Sequence, residues 1–179
     1  MEKLGSNLKP KNRIGILGGS FDPAHKGHLA ISREAIKKYK LKKIVWAITQ
    51  KNPLKKKSET SISDRIRKCK KIIKSNNLIK IKFYEKIIKS NKTIDLINYL
   101  KKNNKSEIFF LMGADNLIKF HKWHKWKMIA KNCTIIVFDR HGYKKKSLNS
   151  ISFKRFKGKN LKFVEFNKVN ISSSQLRKI

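Results

Sequence analysis

Apolar strand-length segments alternate with helix-length amphipathic segments along most of this chain, and no other feature restricts the fold as strongly. The segments at 13–19, 43–49 and 107–112 are apolar almost throughout, instead of alternating between apolar and polar residues. Strands of that kind are buried on both faces, as in parallel sheets that helices cover from both sides. Apolar residues at helical spacing follow over 26–40 and 64–75. The pattern therefore predicts an α/β fold with a mostly parallel sheet and helices on both faces.

Weaker periodic segments complete the expected order of elements. Ser63 and Thr93 are residue types that commonly cap helices, and each directly precedes apolar residues at helical spacing. Residues 141–160 are rich in Lys, Ser and Gly and are expected to form a surface loop, and residues 1–12 are expected to be flexible. No linker is long enough to separate two domains, so one domain over 1–179 is predicted. Further strands are predicted at 78–84, 133–138 and 161–166, and further helices at 94–103, 114–119 and 123–131.

Composition supports a soluble, cytoplasmic protein. Hydrophobic residues make up 39% of the 179 residues and aromatic residues 9%, which is enough for one packed core. The apolar runs are only a few residues long, whereas a membrane span needs about 20, and the N-terminal residues lack the apolar stretch of a signal peptide. Cys69 and Cys133 lie far apart without a metal-binding spacing, so free thiols in a reducing compartment are expected.

The formal net charge of +35 has two interpretations. Nucleic-acid binding is one, because a strongly basic chain attracts polyanions. The other is compositional bias, because the excess is mostly Lys, is spread along the chain, and accompanies abundant Asn and Ile, which share A/T-rich codons with Lys. We favour the second interpretation, together with a benefit for anionic substrates. Binding to nucleic acid is then expected to be weak and non-specific at most.

A glycine turn follows the first predicted strand and leads directly into the first predicted helix. Residues 18–28 read Gly-Gly-Ser-Phe-Asp-Pro-Ala-His-Lys-Gly-His. In open parallel sheets, ligands bind beyond the carboxyl ends of the strands, where a helix N-terminus presents free N–H groups. His25 and His28 are three residues apart at the helix start and can share a face. These features suit a phosphate site, although a plain glycine turn with two incidental histidines would read the same way.

This turn resembles the signature of the nucleotidyltransferase superfamily, whose core is His-x-Gly-His and whose sheet is Rossmann-like. The resemblance implies that His25 and His28 bind the phosphates of ATP. It also implies that the two histidines stabilise the transition state without forming a covalent intermediate, as phosphoryl-transfer chemistry requires mainly positioning and charge neutralisation. The preceding residues Gly18, Gly19, Ser20 and Phe21 belong to the same expected ATP site.

The C-terminal segment carries a second motif, which by itself reads as a serine-capped helix start. It resembles the superfamily's Ile-Ser-Ser-Thr-x-Leu-Arg motif, with Ser174 in the place of Thr. By that resemblance, Ser172, Ser173 and Ser174 hold the triphosphate. Arg177 grips the departing pyrophosphate, a role that suits its bidentate guanidinium.

The third block is similar to the Gly-x-Asp-x-Leu…Trp region of bacterial nicotinate-mononucleotide adenylyltransferases, and includes Asp115, Trp123 and His124. The resemblance implies that Trp123 stacks on the pyridine ring and that His124 helps to hold the nicotinate carboxylate, with Asp115 in the same site. Thr93 resembles a further carboxylate contact of that family. Without the resemblance to this family, the sequence is equally consistent with Trp123 as a core residue and Thr93 as the N-cap of a helix.

The resemblance implies an enzyme of NAD biosynthesis that transfers AMP from ATP to nicotinate mononucleotide, giving deamido-NAD and pyrophosphate. Mg²⁺ is expected to be bound mainly through the ATP phosphates. The segment with the lysines over 51–57 resembles the family's Pro-x-x-Lys loop only in part. The sequence does not indicate which of these lysines supplies the functional amine. Phosphopantetheine adenylyltransferases and cytidylyltransferases are the alternatives within the superfamily, and a basic nucleic-acid-binding protein is the alternative outside it. Oligomeric state stays open.

Overall fold

The computed structural model describes residues 12–50, 60–74 and 76–166. Its strands form one six-stranded sheet in the order β3-β2-β1-β4-β5-β6, and every neighbouring pair is parallel. This arrangement confirms the predicted α/β, Rossmann-like fold. The strands are β1 Arg13–Gly19, β2 Lys43–Ile48, β3 Ile79–Lys82, β4 Glu107–Gly113, β5 Thr134–Phe138 and β6 Leu161–Val164.

Helices cover both faces of this sheet, as the apolar strands require. One apolar cluster joins one face of the sheet to α1 (Lys26–Tyr39) and α2 (Ile62–Ile73), and a second joins the opposite face to α4 (Thr93–Asn104), α5 (Ala114–Phe120) and α6 (Trp126–Asn132). Close packing on the first face needs a glycine at position 15, since a Cβ there would lie 2.7 Å from Ile44 Cγ1. The helices are α1 Lys26–Tyr39, α2 Ile62–Ile73, α3 Glu85–Ile88, α4 Thr93–Asn104, α5 Ala114–Phe120, α6 Trp126–Asn132, α7 Lys144–Leu148 and α8 Ile151–Phe156.

Both predicted helix caps were misplaced. Helix α2 begins two residues before the predicted start, because Ser61 and not Ser63 accepts the backbone N–H of Asp64, at 3.1 Å. Ser61 also donates to the Asp64 carboxylate at 2.8 Å, so this serine and the acid three residues later stabilise the helix start together. Thr93 is the first residue of α4, and Lys92 holds the cap position.

The prediction of a surface loop at 141–160 is wrong, because α7 and α8 occupy most of that segment. Ser150 caps α8 by accepting the N–H of Phe153 at 3.2 Å. Phe156 packs edge-on against Trp126, with ring centroids 5.4 Å apart, and this contact attaches α8 to the core. The segment looks like a loop in sequence because its buried residues include the small polar side chains of Ser147 and Ser152.

Across the described ranges, no helix is long and apolar enough to span a membrane.

Candidate active site

The glycine turn crosses the carboxyl edge of the sheet between β1 and α1. Gly18 and Gly19 line two adjoining cavities, of about 330 and about 90 Å³. A Cβ at these positions would be no closer than 3.6 Å and 3.5 Å to the neighbouring rings, so protein packing itself does not demand glycine there. The missing side chains instead leave the backbone accessible from the cavities, as close approach of a ligand would require.

Phe21 gives the turn its shape. Its backbone has a φ of +50°, a left-handed conformation that a bulky residue rarely adopts. The ring is buried and stacks on Trp46 with centroids 5.0 Å apart and 14° between the planes. Trp46 also donates its indole N–H to Ser32, at 2.9 Å, and Ser32 donates to the backbone carbonyl of His28, at 2.8 Å. Aromatic packing and these hydrogen bonds therefore fix the position of His28.

The two histidines lie together at the N-terminus of α1. Their ring centroids are 3.8 Å apart, and His25 is the residue that caps the helix. The backbone N–H of His25 donates to Nδ1 of His28, at 3.2 Å. Because Nδ1 accepts this bond, a neutral His28 imidazole carries its proton on Nε2. His28 lines the smaller cavity with Ser20 and Phe21, whereas His25 is not among the described residues that line it.

The larger cavity brings together residues that are distant in sequence. Thr93, Trp123 and His124 all line it. Trp123 also lines the smaller cavity, as do Gly18, Gly19 and Phe110, so the two cavities share a wall. The structure thus places a phosphate-type site, with His28, next to an aromatic site, with Trp123.

Trp123 and Trp126 occupy different environments despite their spacing of three. Trp123 contacts Phe110 and Phe120 edge-on, with centroids 5.9 and 5.4 Å away, and leaves part of its surface to the cavities. Trp126 contacts Phe120 and Phe156 edge-on, at 6.0 and 5.4 Å, and lines neither cavity. Of these two tryptophans, only Trp123 is therefore placed to stack on a ligand.

The N-terminus of α4 faces the larger cavity. Ser90, Asn91, Lys92 and Thr93 all line it. The first N–H groups of a helix have no partner within the helix, and its dipole favours negative charge there. Ser90 accepts the N–H of Lys92 at 3.1 Å and donates to the Asp95 carboxylate at 2.6 Å, which fixes this turn. The wall is therefore suited to an anionic group on a ligand.

Comparison with known proteins agrees with this geometry. The cytidylyltransferase-like family model matches residues 16–179. A probable nicotinate-nucleotide adenylyltransferase of Pelagibacter ubique is 61% identical over 180 residues, covering 100% of both chains. The chain belongs to the nicotinate-nucleotide adenylyltransferase family. A probable member from Agrobacterium fabrum is 38% identical and covers 72% of this chain and 70% of its own.

Solved structures show the same fold at lower identity. Plasmodium falciparum nicotinic acid mononucleotide adenylyltransferase complexed with NaAD superposes with a TM-score of 0.75 at 22% identity, covering 93% of this chain and 83% of that one. A putative nicotinate-nucleotide adenylyltransferase from Vibrio parahaemolyticus gives a TM-score of 0.63 at 19% identity, covering 93% and 85%. The fold of this chain is therefore similar to that of these two structures.

Asp115 is placed differently from the other predicted residues of the acceptor site. Its carboxylate accepts from Nη1 of Arg140 at 2.8 Å, with both side chains mostly buried. Its other oxygen lies over Gly113, where an added Cβ would be 2.5 Å away. Asp115 lines neither cavity, so the geometry does not favour the predicted contact with nicotinate mononucleotide.

Three polar residues near the site were missed at the sequence level. Asp22 is buried and accepts the hydroxyl of Thr60 at 2.7 Å. Glu85 lines the larger cavity, and Arg65 donates to the backbone beside it. Asp22 could have been found from the Phe-Asp-Pro turn, whereas nothing local to Arg65 or Glu85 signals a role. Ser172, Ser173, Ser174, Arg177 and the lysines of 51–57 lie outside the described residues.

Proposed function

We propose that this protein transfers AMP from ATP to nicotinate mononucleotide, giving deamido-NAD and pyrophosphate in NAD biosynthesis. One observation carries the proposal: the cavity with His28 and the cavity with Trp123 meet across Gly18 and Gly19. A phosphate held in the first site and an aromatic ring held in the second would bring an acceptor phosphate beside the α-phosphate of ATP. The family to which the chain belongs carries out the same transfer, as its name states.

The phosphate site acts by positioning and by electrostatics. The acceptor's phosphate oxygen attacks the α-phosphorus in line, the bond to the bridging oxygen breaks, and pyrophosphate leaves. Nε2–H of His28, with His25 beside it at the start of α1, donates to phosphate oxygens as negative charge develops on them. Ser172, Ser173, Ser174 and Arg177 are proposed to hold the triphosphate and the leaving group.

The residues of the acceptor site support a preference for the acid over the amide. Trp123 is proposed to stack on the pyridine ring, while the Thr93 hydroxyl and the His124 backbone N–H donate to the ring carboxylate. Lys92 and Lys122 line the same cavity and add positive charge, as does the start of α4. A neutral amide would gain less from these donors, because charge-assisted hydrogen bonds are roughly twice as strong as neutral ones.

Mg²⁺ is proposed to enter as part of the MgATP substrate. Among the described residues, no three His, Cys, Asp or Glu side chains gather where they could hold a metal ion. The imidazole and backbone donors of residues 18–28 instead suit phosphate oxygens, so the nucleotide itself would supply most metal ligands. When bound, Mg²⁺ neutralises charge on the triphosphate.

The direct test offers several acceptors to the purified protein. MgATP is incubated in turn with nicotinate mononucleotide, nicotinamide mononucleotide and phosphopantetheine, and each product is identified by mass. We expect deamido-NAD and pyrophosphate in equal amounts. Dephospho-coenzyme A as the main product would establish the phosphopantetheine alternative instead, and the absence of any adenylylated product would refute the proposal.

A further inference from the structure

Arg65 is the largest buried charged side chain of the described chain, and it lies directly beneath the site. Only 2% of the residue is exposed on α2. Among the described residues, its guanidinium donates only to backbone carbonyls: Nη1 to Ser20 at 2.8 Å and to Thr49 at 2.7 Å, Nε to Ser61 at 3.4 Å, and Nη2 to Gln50 at 3.5 Å. Within the described ranges it forms no ion pair.

The two shortest of these bonds join the carboxyl ends of two adjacent inner strands. Ser20 directly follows β1, and Thr49 directly follows β2. The N–H of Thr49 also donates to the carbonyl of Gly19 at 3.0 Å. Gly19 lines both cavities, Ser20 the smaller and Thr49 the larger. A single guanidinium nitrogen thus holds together the backbone on which the two substrates would meet.

Glu85 completes the arrangement from the opposite side. Its carboxylate accepts the backbone N–H of Gln50 at 3.2 Å, while Arg65 holds the Gln50 carbonyl. Burial raises the pKa of Glu85, and the hydrogen bond from Gln50 and the charge of Arg65 oppose that shift. The backbone of Thr49 and Gln50 is therefore fixed by α2 on one side and by α3 on the other.

A buried guanidinium is expensive to desolvate, and it is tolerated only where its hydrogen-bond donors are used. Arginine offers planar donors that reach two carbonyls at once, whereas lysine offers one compact ammonium. In-line transfer is sensitive to geometry, because a misplacement of about 1 Å can cost about 100-fold in rate. We propose that Arg65 is a positioning residue for AMP transfer, which fixes the separation of the two substrate phosphates through the ends of β1 and β2. This inference rests on the proposed function.

The test compares Arg65→Lys and Arg65→Met with two controls on the same helix. Arg67→Lys alters an exposed arginine that pairs with Asp64, and Cys69→Ala removes a buried group one turn further along. We expect Arg65→Lys to lower kcat by at least ~10-fold, with KM for both substrates changed less than about threefold. Arg67→Lys should retain kcat, and Cys69→Ala should lower Tm while retaining kcat per folded molecule.

A second readout does not depend on turnover or on the identity of the acceptor. Amide hydrogen exchange at Thr49 and Gln50 should accelerate in Arg65→Lys and stay unchanged in Cys69→Ala. A wild-type kcat per folded molecule in Arg65→Lys would overturn the inference, including the case in which a lower Tm accounts for all of the lost activity. If the wild-type protein transfers AMP to no acceptor, the proposed function fails. Unchanged amide exchange at Thr49 and Gln50 in Arg65→Lys would separately refute the proposal that Arg65 fixes the ends of β1 and β2. If Arg65→Met does not fold, kcat and amide exchange are compared with the wild type in Arg65→Lys and Glu85→Ala instead.

Discussion

Replacing Trp123 by alanine tests whether this residue stacks on a ligand as well as packing in the core. Stacking of a heterocycle on an aromatic side chain is worth about 1–3 kcal/mol. Because each 1.4 kcal/mol is tenfold in affinity, Trp123→Ala should raise KM for nicotinate mononucleotide by roughly 5- to 150-fold. The effect should be equal for the nicotinamide acceptor, since stacking depends on the ring and not on its substituent. Pyrophosphate release measured at saturating ATP and varied acceptor gives these values.

Trp126→Ala is the matched control for this prediction. Each tryptophan makes two edge-on aromatic contacts, at 5.4–5.9 Å for Trp123 and 5.4–6.0 Å for Trp126. Each such pair contributes about 0.5–1.5 kcal/mol beyond burial, so both substitutions should lower Tm to a similar degree. Only Trp123→Ala should change the acceptor KM. Equal KM increases in the two variants, or an unchanged KM in Trp123→Ala, would show that Trp123 is a core residue and not a stacking platform.

Four further predictions follow from the site and its surroundings. His28→Ala should lower kcat by at least ~100-fold while the protein stays folded, and near-normal turnover would exclude it from the mechanism. Catalytic efficiency should be at least ~10-fold higher with the acid than with the amide, about 1.4 kcal/mol, and Thr93→Val should reduce this ratio in steady-state kinetics. Burial raises the pKa of Cys69 and of Cys133 to about 12, so a thiol reagent at pH 8 should label both only after denaturation. Burial also raises the pKa of Glu85, so folding stability falls as pH rises from the ordinary glutamate value through the raised one. Glu85→Gln should therefore raise the urea midpoint at pH 7 and leave it unchanged near pH 3.

The sheet could be predicted because its evidence is local. Strands such as β1 and β4 are apolar on both faces, and only coverage from both sides satisfies that pattern. Helix starts were harder to predict, because Ser61 and Ser63 are equally good cap residue types, and only the structure shows that Ser61 accepts the N–H of Asp64. The segment containing α7 and α8 was misread because its buried residues include the small polar side chains of Ser147 and Ser152, which produce no apolar helical pattern in the sequence.

In the candidate site, too, some residues could be placed together from the sequence and others only from the fold. His25 and His28 belong to one continuous turn, so their proximity follows from sequence alone, and the structure places their rings 3.8 Å apart. Thr93 and Trp123 reach a shared cavity only through the topology of the sheet, and the resemblance to a family was needed to link them. Arg65 reads as a solvated position beside an apolar stripe, because the carbonyls that bury it belong to loops elsewhere in the chain.

The positive charge of the chain and the chemistry of the site are separate matters. Lysines supply most of the +35 charge, yet among the described residues none lines the smaller cavity, where Ser20, His28 and Asn116 are the polar side chains beside the backbone groups. Two lysines, Lys92 and Lys122, line the larger cavity. A diffuse positive field speeds the encounter with anionic substrates and is screened within about 8 Å at physiological salt. Orientation of a bound phosphate instead depends on short contacts that salt screens far less. Raising the salt concentration should therefore lower kcat/KM for both anionic substrates much more than kcat.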